Sequence, residues 1–210
     1  MEITLLGHDC FRLKGRDVTL ITDTFASAEG SLRVAGDIVT VSHDHQGHNN
    51  VEAVEGSPRT VTGPGEYEIK GVLITGVGTF HDGERGQRRG RNTVYLVQMD
   101  DLRLCHLGDL GHMLSTDQID EIGTVDVLFV PTGGAHNLSA AQASEVISQL
   151  EPSIVVPMDW TTPEGQPNGS LDKFCHEMGI KEIEMQPRLT VGAKSTLPSE
   201  TQVVVLEPRR

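Results

Sequence analysis

The chain has 210 residues and a formal net charge of −13, from 17 Lys plus Arg against 30 Asp plus Glu. A surface of that sign repels phosphate backbones, so nucleic acid is not expected as a partner. No run of roughly 18 apolar residues is present, so no membrane span is expected. Cys10, Cys105 and Cys175 are odd in number, far apart and set in apolar contexts, which argues for core residues rather than a disulfide framework. The start Met1-Glu2-Ile3-Thr4-Leu5-Leu6 has neither the basic start nor the small-residue cleavage site of a signal peptide, and a cytoplasmic location is expected. One α/β domain over residues 1–210 fits the length.

Ile3–Leu6, Cys10–Leu13 and Val18–Thr22 read as short strands separated by the turns Gly7-His8-Asp9 and Lys14-Gly15-Arg16. Asp23 follows the third. Residues 26–37 are small and polar and read as loop. Ile38–Val41 is a buried strand. Thr60–Val61, Glu66–Ile69 and Val72–Gly76 add short strands, and Thr93–Met99 pairs with Leu102–His106 as a hairpin across Asp100-Asp101. Ser115 and Gln118, and again Ser139 and Gln142, have capping-box spacing and predict helices to about Gly123 and to Leu150. Pro152 closes the second. A third helix is predicted from Ser170, with Leu171, Phe174, Cys175 and Met178 on one face and Gly179 as the stop. Val125–Val130 and Ile154–Pro157 read as interior strands and Val203–Leu206 as the last. The pattern is a layered α/β domain with site residues on loops at strand ends.

His43, His45 and His48 fall just past the strand Ile38–Val41. Residues two apart on extended chain point to the same side, so His43 and His45 converge and His48 reaches in from the next turn. Imidazole nitrogens gathered in this way suit zinc, iron, copper or nickel. Four further segments place a His or Asp past a strand end: His81-Asp82, Gly108-Asp109, Pro131-Thr132-Gly133-Gly134-Ala135-His136 and Pro157-Met158-Asp159-Trp160. Arg85, Arg88, Arg89 and Arg91 crowd a Gly-rich loop, and guanidinium forks suit anionic groups.

These segments carry a resemblance. The sequence resembles the metallo-β-lactamase superfamily, and within it the small metal-dependent hydrolases that lack a lid. The superfamily's first motif is His-x-His-x-Asp-His, followed by a lone His after a strand, an Asp in a Gly-Asp turn and a last His. The similarity runs from Leu6-Gly7-His8 to about Trp160. Gly63-Pro64-Gly65-Glu66-Tyr67, Arg89-Gly90-Arg91-Asn92-Thr93, Leu107-Gly108-Asp109-Leu110-Gly111-His112 and Pro131-Thr132-Gly133-Gly134 are similar to the small-hydrolase branch.

The resemblance implies a four-layer αββα sandwich. It implies that His43, His45, His81 and Asp109 hold a principal metal ion and that His48 belongs to a second position. Gly47 stands where the superfamily has Asp, and Asp159 stands where it has the last His. Asp159 retains oxygen donors, so the second position is expected to combine His48 with Asp159, and one ion is expected rather than two. Zinc is the default; Mn2+, Fe2+ and Ni2+ suit the same donors.

The implied activity is hydrolysis by a metal-bound hydroxide, with Asp109, His48 and Asp159 at the reacting centre. The bond attacked is of ester, lactone, thioester or phosphodiester type; β-lactams are also handled on this fold. His8, His112, His136 and Arg89 are candidate contacts for a small-molecule substrate. Asp23 is a candidate support for the ligating histidines. His106 and His176 read as structural. Without a lid, a homo-oligomer is one way to enclose a small substrate. Two other readings stay open: a non-catalytic metal-binding protein with a decayed second site, and an iron protein of redox type.

Overall fold

The computed structural model describes residues 1–27, 30–31, 33–45, 47–132, 137–161 and 169–209. Among them, one main sheet has six strands and the other seven. The first contains β1 (Glu2–Gly7), β2 (Cys10–Lys14), β3 (Thr19–Thr22), β4 (Ile38–Val41) and β5 (Arg59–Thr62), in that order, with Leu189–Thr190 outside β1. The second runs β6 (Gly65–Ile69), β7 (Val72–Phe80), β8 (Arg91–Met99), β9 (Leu102–His106), β10 (Val127–Pro131) and β11 (Ile154–Met158), with Gln202–Val203 at its edge. Three α-helices are described: α1 (Thr116–Ile122), α2 (Ala140–Leu150) and α3 (Ser170–Glu177).

The two sheets share one core. Ile3, Leu5, Phe11, Leu13, Leu20 and Ile38 of the first pack in a cluster with Ile74, Tyr95, Val97, Leu104 and Phe129 of the second. The Phe11 and Phe129 rings meet at 4.5 Å, and the Tyr95 hydroxyl donates to the Val41 carbonyl at 3.0 Å. All five residues of β10 and all five of β11 are buried. That is the burial of inner parallel strands, and it explains why they appear in the sequence as unbroken apolar runs. The mixed α/β architecture agrees with the expected fold.

Both capping boxes form. Ser115 and Ser139 each accept from the backbone of the residue three on, Gln118 or Gln142, whose side chain returns the bond. Helix α3 starts instead from Gly169, in the left-handed region at φ 77°, without a side-chain cap. Strand β7 runs on past Gly76 to Phe80 because Val77–Phe80 pair with Arg91–Val94 of β8. The segment 26–37, read as loop, contains the short strands Ala26–Ser27, Gly30–Ser31 and Val34–Ala35. The expected last strand is two pieces with different partners: Gln202–Val203 pairs with β11, and Val205–Leu206 pairs with Met185–Gln186. Cys10, Cys105 and Cys175 are free and buried. Among the described residues no helix is long and apolar enough to cross a membrane.

Topology decides where the polar residues gather. Strands β3, β4 and β5 are mutually parallel, as are β9, β10 and β11. Asp23 follows β3, His43 follows β4, Asp109 follows β9 and Asp159 follows β11, and His81 comes directly after β7.

Candidate metal centre

Asp109 is the hub. Its Oδ2 lies 3.1 Å from His81 Nε2, 3.4 Å from His48 Nε2 and 3.6 Å from His43 Nε2. His48, His81 and Asp109 are buried. The turn before Asp109 requires glycine: Gly108 sits at φ 56°, and a Cβ there would lie 2.4 Å from Asn92 Oδ1 and 2.7 Å from the Ser42 Cβ. Asn92 then holds the hub in place. Its Oδ1 accepts from the Asp109 amide at 3.0 Å, while its Nδ2 donates to Thr79 Oγ1 and the Leu107 carbonyl. Burial disfavours charge on Asp109, but His48 and His81 beside it hold its carboxyl well below the usual range.

His43 is oriented by a relay from the interior. Asp23 is fully buried; its Oδ1 accepts from the Ser42 amide at 2.7 Å and its Oδ2 accepts from the Ser42 hydroxyl. Ser42 Oγ in turn lies 3.0 Å from His43 Nδ1. Because the hydroxyl proton goes to Asp23, the oxygen accepts from Nδ1–H, and Nε2 keeps its lone pair on the Asp109 side. Burial, with His48 next, lowers the His43 pKa to about 4, so the ring is a neutral donor at neutral pH. Asp23 therefore supports His43 as the sequence reading expected.

His48 is surrounded by carboxylates. Its Nδ1 lies 2.8 Å from Asp9 Oδ2 and 3.4 Å from Asp23 Oδ2. Burial opposes charge on this ring, yet Asp9, Asp109 and Asp23 raise its pKa well above the ordinary imidazole value. Asp9 was not singled out in the sequence, where it belongs to a Gly-His-Asp turn. The available signal was a carboxylate next to His8 at a strand end.

Three groups of side chains bring ligand atoms within 4.8 Å of one another: His43 with His81 and Asp109, His43 with His45 and His48, and Asp9 with His48 and Asp109. Among the described residues, the buried Nε2 atoms of His43 and His81 have no hydrogen-bond partner. Two imidazole lone pairs facing one ionised carboxylate are the donor set of a divalent transition-metal site, so these residues fit the expected ion. His45 is exposed; its ring stacks on His43 at 5.8 Å.

The remaining expected site residues divide. Asp159, in the left-handed region at φ 55°, accepts from Asn137 Nδ2 at 2.7 Å, and its Oδ1 lies 3.8 Å from His8 Nδ1. Its carboxylate is thus directed at Asn137 and His8, outside the three groups. Both ring nitrogens of His112 serve the backbone: Nε2 accepts from the Phe80 amide at 3.1 Å and Nδ1 donates to the Met113 carbonyl at 2.7 Å. His106 is structural, donating to the Asp9 carbonyl and accepting from Gly108 N–H. His136 lies outside the described residues.

A cleft of about 980 Å3 opens over the hub, lined by His45, His48, His81, Arg89, Asp109 and Asp159 among others. Asp82 builds its arginine wall. The Asp82 carboxylate accepts from the amides of Glu84, Gly86, Arg88 and Arg89 at 2.8–3.1 Å, which curls the loop back beside His81. The role of Asp82 was also missed in the sequence; an Asp opening a Gly-rich loop is its signal.

A family model for the beta-lactamase superfamily domain matches residues 2–159. The chain belongs to that superfamily. A solved structure assigned to the zinc-dependent hydrolases of the metallo-beta-lactamase superfamily, from Thermotoga maritima, is 35% identical at a TM-score of 0.79, covering 98% of this chain and 97% of that one. Among curated relatives, a metal-dependent hydrolase of Methanopyrus kandleri is 24% identical over 99% of this chain and 97% of its own length. Another from Methanoculleus marisnigri is 28% identical over 77% and 82%. The superfamily resemblance read from the sequence is thus correct, and the relatives are named as metal-dependent hydrolases.

Proposed function

We propose that this protein is a metal-dependent hydrolase of a small substrate with an ester, lactone, thioester or phosphodiester bond. The observation that carries this reading is the convergence of His43 Nε2, His81 Nε2 and Asp109 on one point at the floor of an open cleft. A divalent ion, which His43, His81 and Asp109 would hold there, would supply Lewis acidity for activating water at neutral pH. Zinc is the default for two imidazoles and a carboxylate.

The chain's own residues prepare that chemistry. Asp23 and Ser42 fix the His43 tautomer before any ligand arrives. Gly108 and Asn92 hold the Asp109 carboxylate at the cleft floor, so its position costs no reorganisation during reaction. Arg89 stands on the cleft wall, where a guanidinium recognises an anionic group of the substrate. His8 faces the same cleft.

The test is turnover of ester, lactone, thioester and phosphodiester substrates by protein reconstituted with Zn2+ or Mn2+, beside His43→Ala. Metal-dependent hydrolysis of at least one class, lost in His43→Ala, is expected. Absence of metal-dependent turnover across all four classes contradicts the reading.

A further inference from the structure

His8 and Asp159 meet on the wall of the cleft. His8 lies in the β1–β2 turn and Asp159 directly after β11, so two segments distant in sequence supply the pair. Both residues sit in the left-handed region, at φ 50° and 55°. Such backbone is uncommon for a residue with a side chain; where it is imposed by the surroundings, it clusters at functional sites. Here the two turns brace each other: the Asp159 amide donates to the His8 carbonyl at 3.2 Å.

The side chains are held from behind. Asn137 Nδ2 donates to Asp159 Oδ2 at 2.7 Å, and the other carboxylate oxygen, Oδ1, lies 3.8 Å from His8 Nδ1. That contact is longer than a hydrogen bond, and contacts of this kind tighten in the substrate complex. Phe25 packs edge-on against the imidazole, with ring centroids 5.6 Å apart. Glycine at position 7 makes room for it, because a Cβ there would lie 2.8 Å from the Phe25 ring. With Nδ1 on the Asp159 side, Nε2 is the nitrogen left for a molecule in the cleft. An imidazole oriented by a carboxylate that is itself held by a third group is the arrangement of a proton-transfer residue. The carboxylate also favours the protonated ring. The same turn reaches the hub: Asp9, next to His8, lies 2.8 Å from His48 Nδ1, and His48 Nε2 lies 3.4 Å from Asp109 Oδ2.

We propose that His8 is the proton donor to the leaving group, with Asp159 as its positioning residue. The proposal rests on the hydrolase reading of the neighbouring site and names its substrate class. Water forms the new bond to the acyl carbon and gives one proton to solvent. The bond from the acyl carbon to the alkoxy oxygen breaks, and its electron pair stays on that oxygen. The oxygen takes the proton from His8 Nε2, and solvent returns a proton to His8. An alkoxide needs this help, whereas a nitrophenolate or a thiolate leaves as the anion. The substrate class that uses such a donor is the alkyl ester or lactone.

The experiment compares leaving groups. Wild type, His8→Asn and Asp159→Asn are reconstituted with Zn2+ and assayed on ethyl acetate, γ-butyrolactone, 4-nitrophenyl acetate and bis(4-nitrophenyl) phosphate, with bound zinc measured in each preparation. Asn tolerates the left-handed backbone at both positions. In His8→Asn, kcat for the ethyl ester and the lactone should fall by about 100-fold or more, and for the nitrophenyl ester by less than about 10-fold, the signature of a lost general acid. Asp159→Asn should show the same selectivity with a smaller loss, and both variants should keep the wild-type zinc content. Nitrogen NMR of the metal-free protein gives a readout apart from turnover: His8 Nδ1 should carry a proton in the wild type, and the Nε2–H tautomer should appear in Asp159→Asn. Equal losses on all substrates, loss of zinc in either variant, or an Nε2–H tautomer of His8 in the wild type overturns the proposal and leaves the hydrolase reading standing. Wild-type turnover confined to the nitrophenyl substrates does the same. No zinc-dependent turnover of any substrate overturns both.

Discussion

Ser42 Oγ lies 3.0 Å from His43 Nδ1 while donating its own proton to Asp23, so a buried carboxylate sets the tautomer of a candidate ligand through one hydroxyl. Removing the hydroxyl leaves the ring in place but frees its rotation. Ser42→Ala should weaken the first metal equivalent by about 10–100-fold, the range for a group that orients a ligand. Competition with a chromophoric chelator measures it.

Asp109→Asn should be more severe. Asp109 faces three imidazoles, and an amide neither carries the charge nor donates both oxygens. Loss of hydrolysis by more than about 100-fold is expected, beyond the effect of an orienting group. Steady-state kinetics at saturating metal checks it.

Gly108→Ala tests the turn that places Asp109. The φ of 56° and the 2.4 Å approach of an added Cβ to Asn92 Oδ1 both oppose the methyl group. A stability loss of about 1–3 kcal/mol is expected, typical of backbone strain, read from denaturant unfolding.

The pH dependence of the metal-free protein should carry the mark of Asp9. Burial pushes its carboxyl from the ordinary 3.8 up to about 6, against the pull of His48. The folded state therefore binds this proton more tightly than the unfolded chain. Its stabilising contribution is present below about pH 4 and is lost as pH rises through about 6. Asp9→Asn removes that loss. The variant's stability relative to wild type should increase from pH 4 to pH 7, measured by unfolding in chelator.

Arg89→Ala should raise KM for an anionic substrate with metal content unchanged. Asp82→Ala should do the same, because the Asp82 carboxylate holds the Arg89 amide at 2.8 Å. Unaltered KM in both variants assigns the loop no part in substrate recognition.

How far the sequence was legible depends on how local each signal is. The capping boxes at Ser115 and Ser139 are carried by residues three apart and formed as read. The inner strands β10 and β11 declared themselves by continuous apolar runs. His43, His81 and Asp109 were legible because each follows a strand end within a family pattern. Asp9 was not. It lies in a turn tripeptide that reads as punctuation, and its burial depends on His48 and His106, distant in sequence, closing over it. Asp159 is expected as a ligand from its position in the pattern; its carboxylate accepts from Asn137 and lies 3.8 Å from His8, a pairing that no local spacing records. The final segment Val203–Leu206 looked like one strand because hydrophobicity does not show a change of partner.

Metal content after reconstitution tests the central claim most directly. Wild type, His43→Ala and His81→Ala are saturated with Zn2+, desalted and analysed for bound metal alongside a circular-dichroism check of folding. The wild type should retain at least one equivalent, and each folded variant should lose one. A wild type that retains no metal, or folded variants that keep the full wild-type complement, would contradict the assignment of His43, His81 and Asp109 as the metal site.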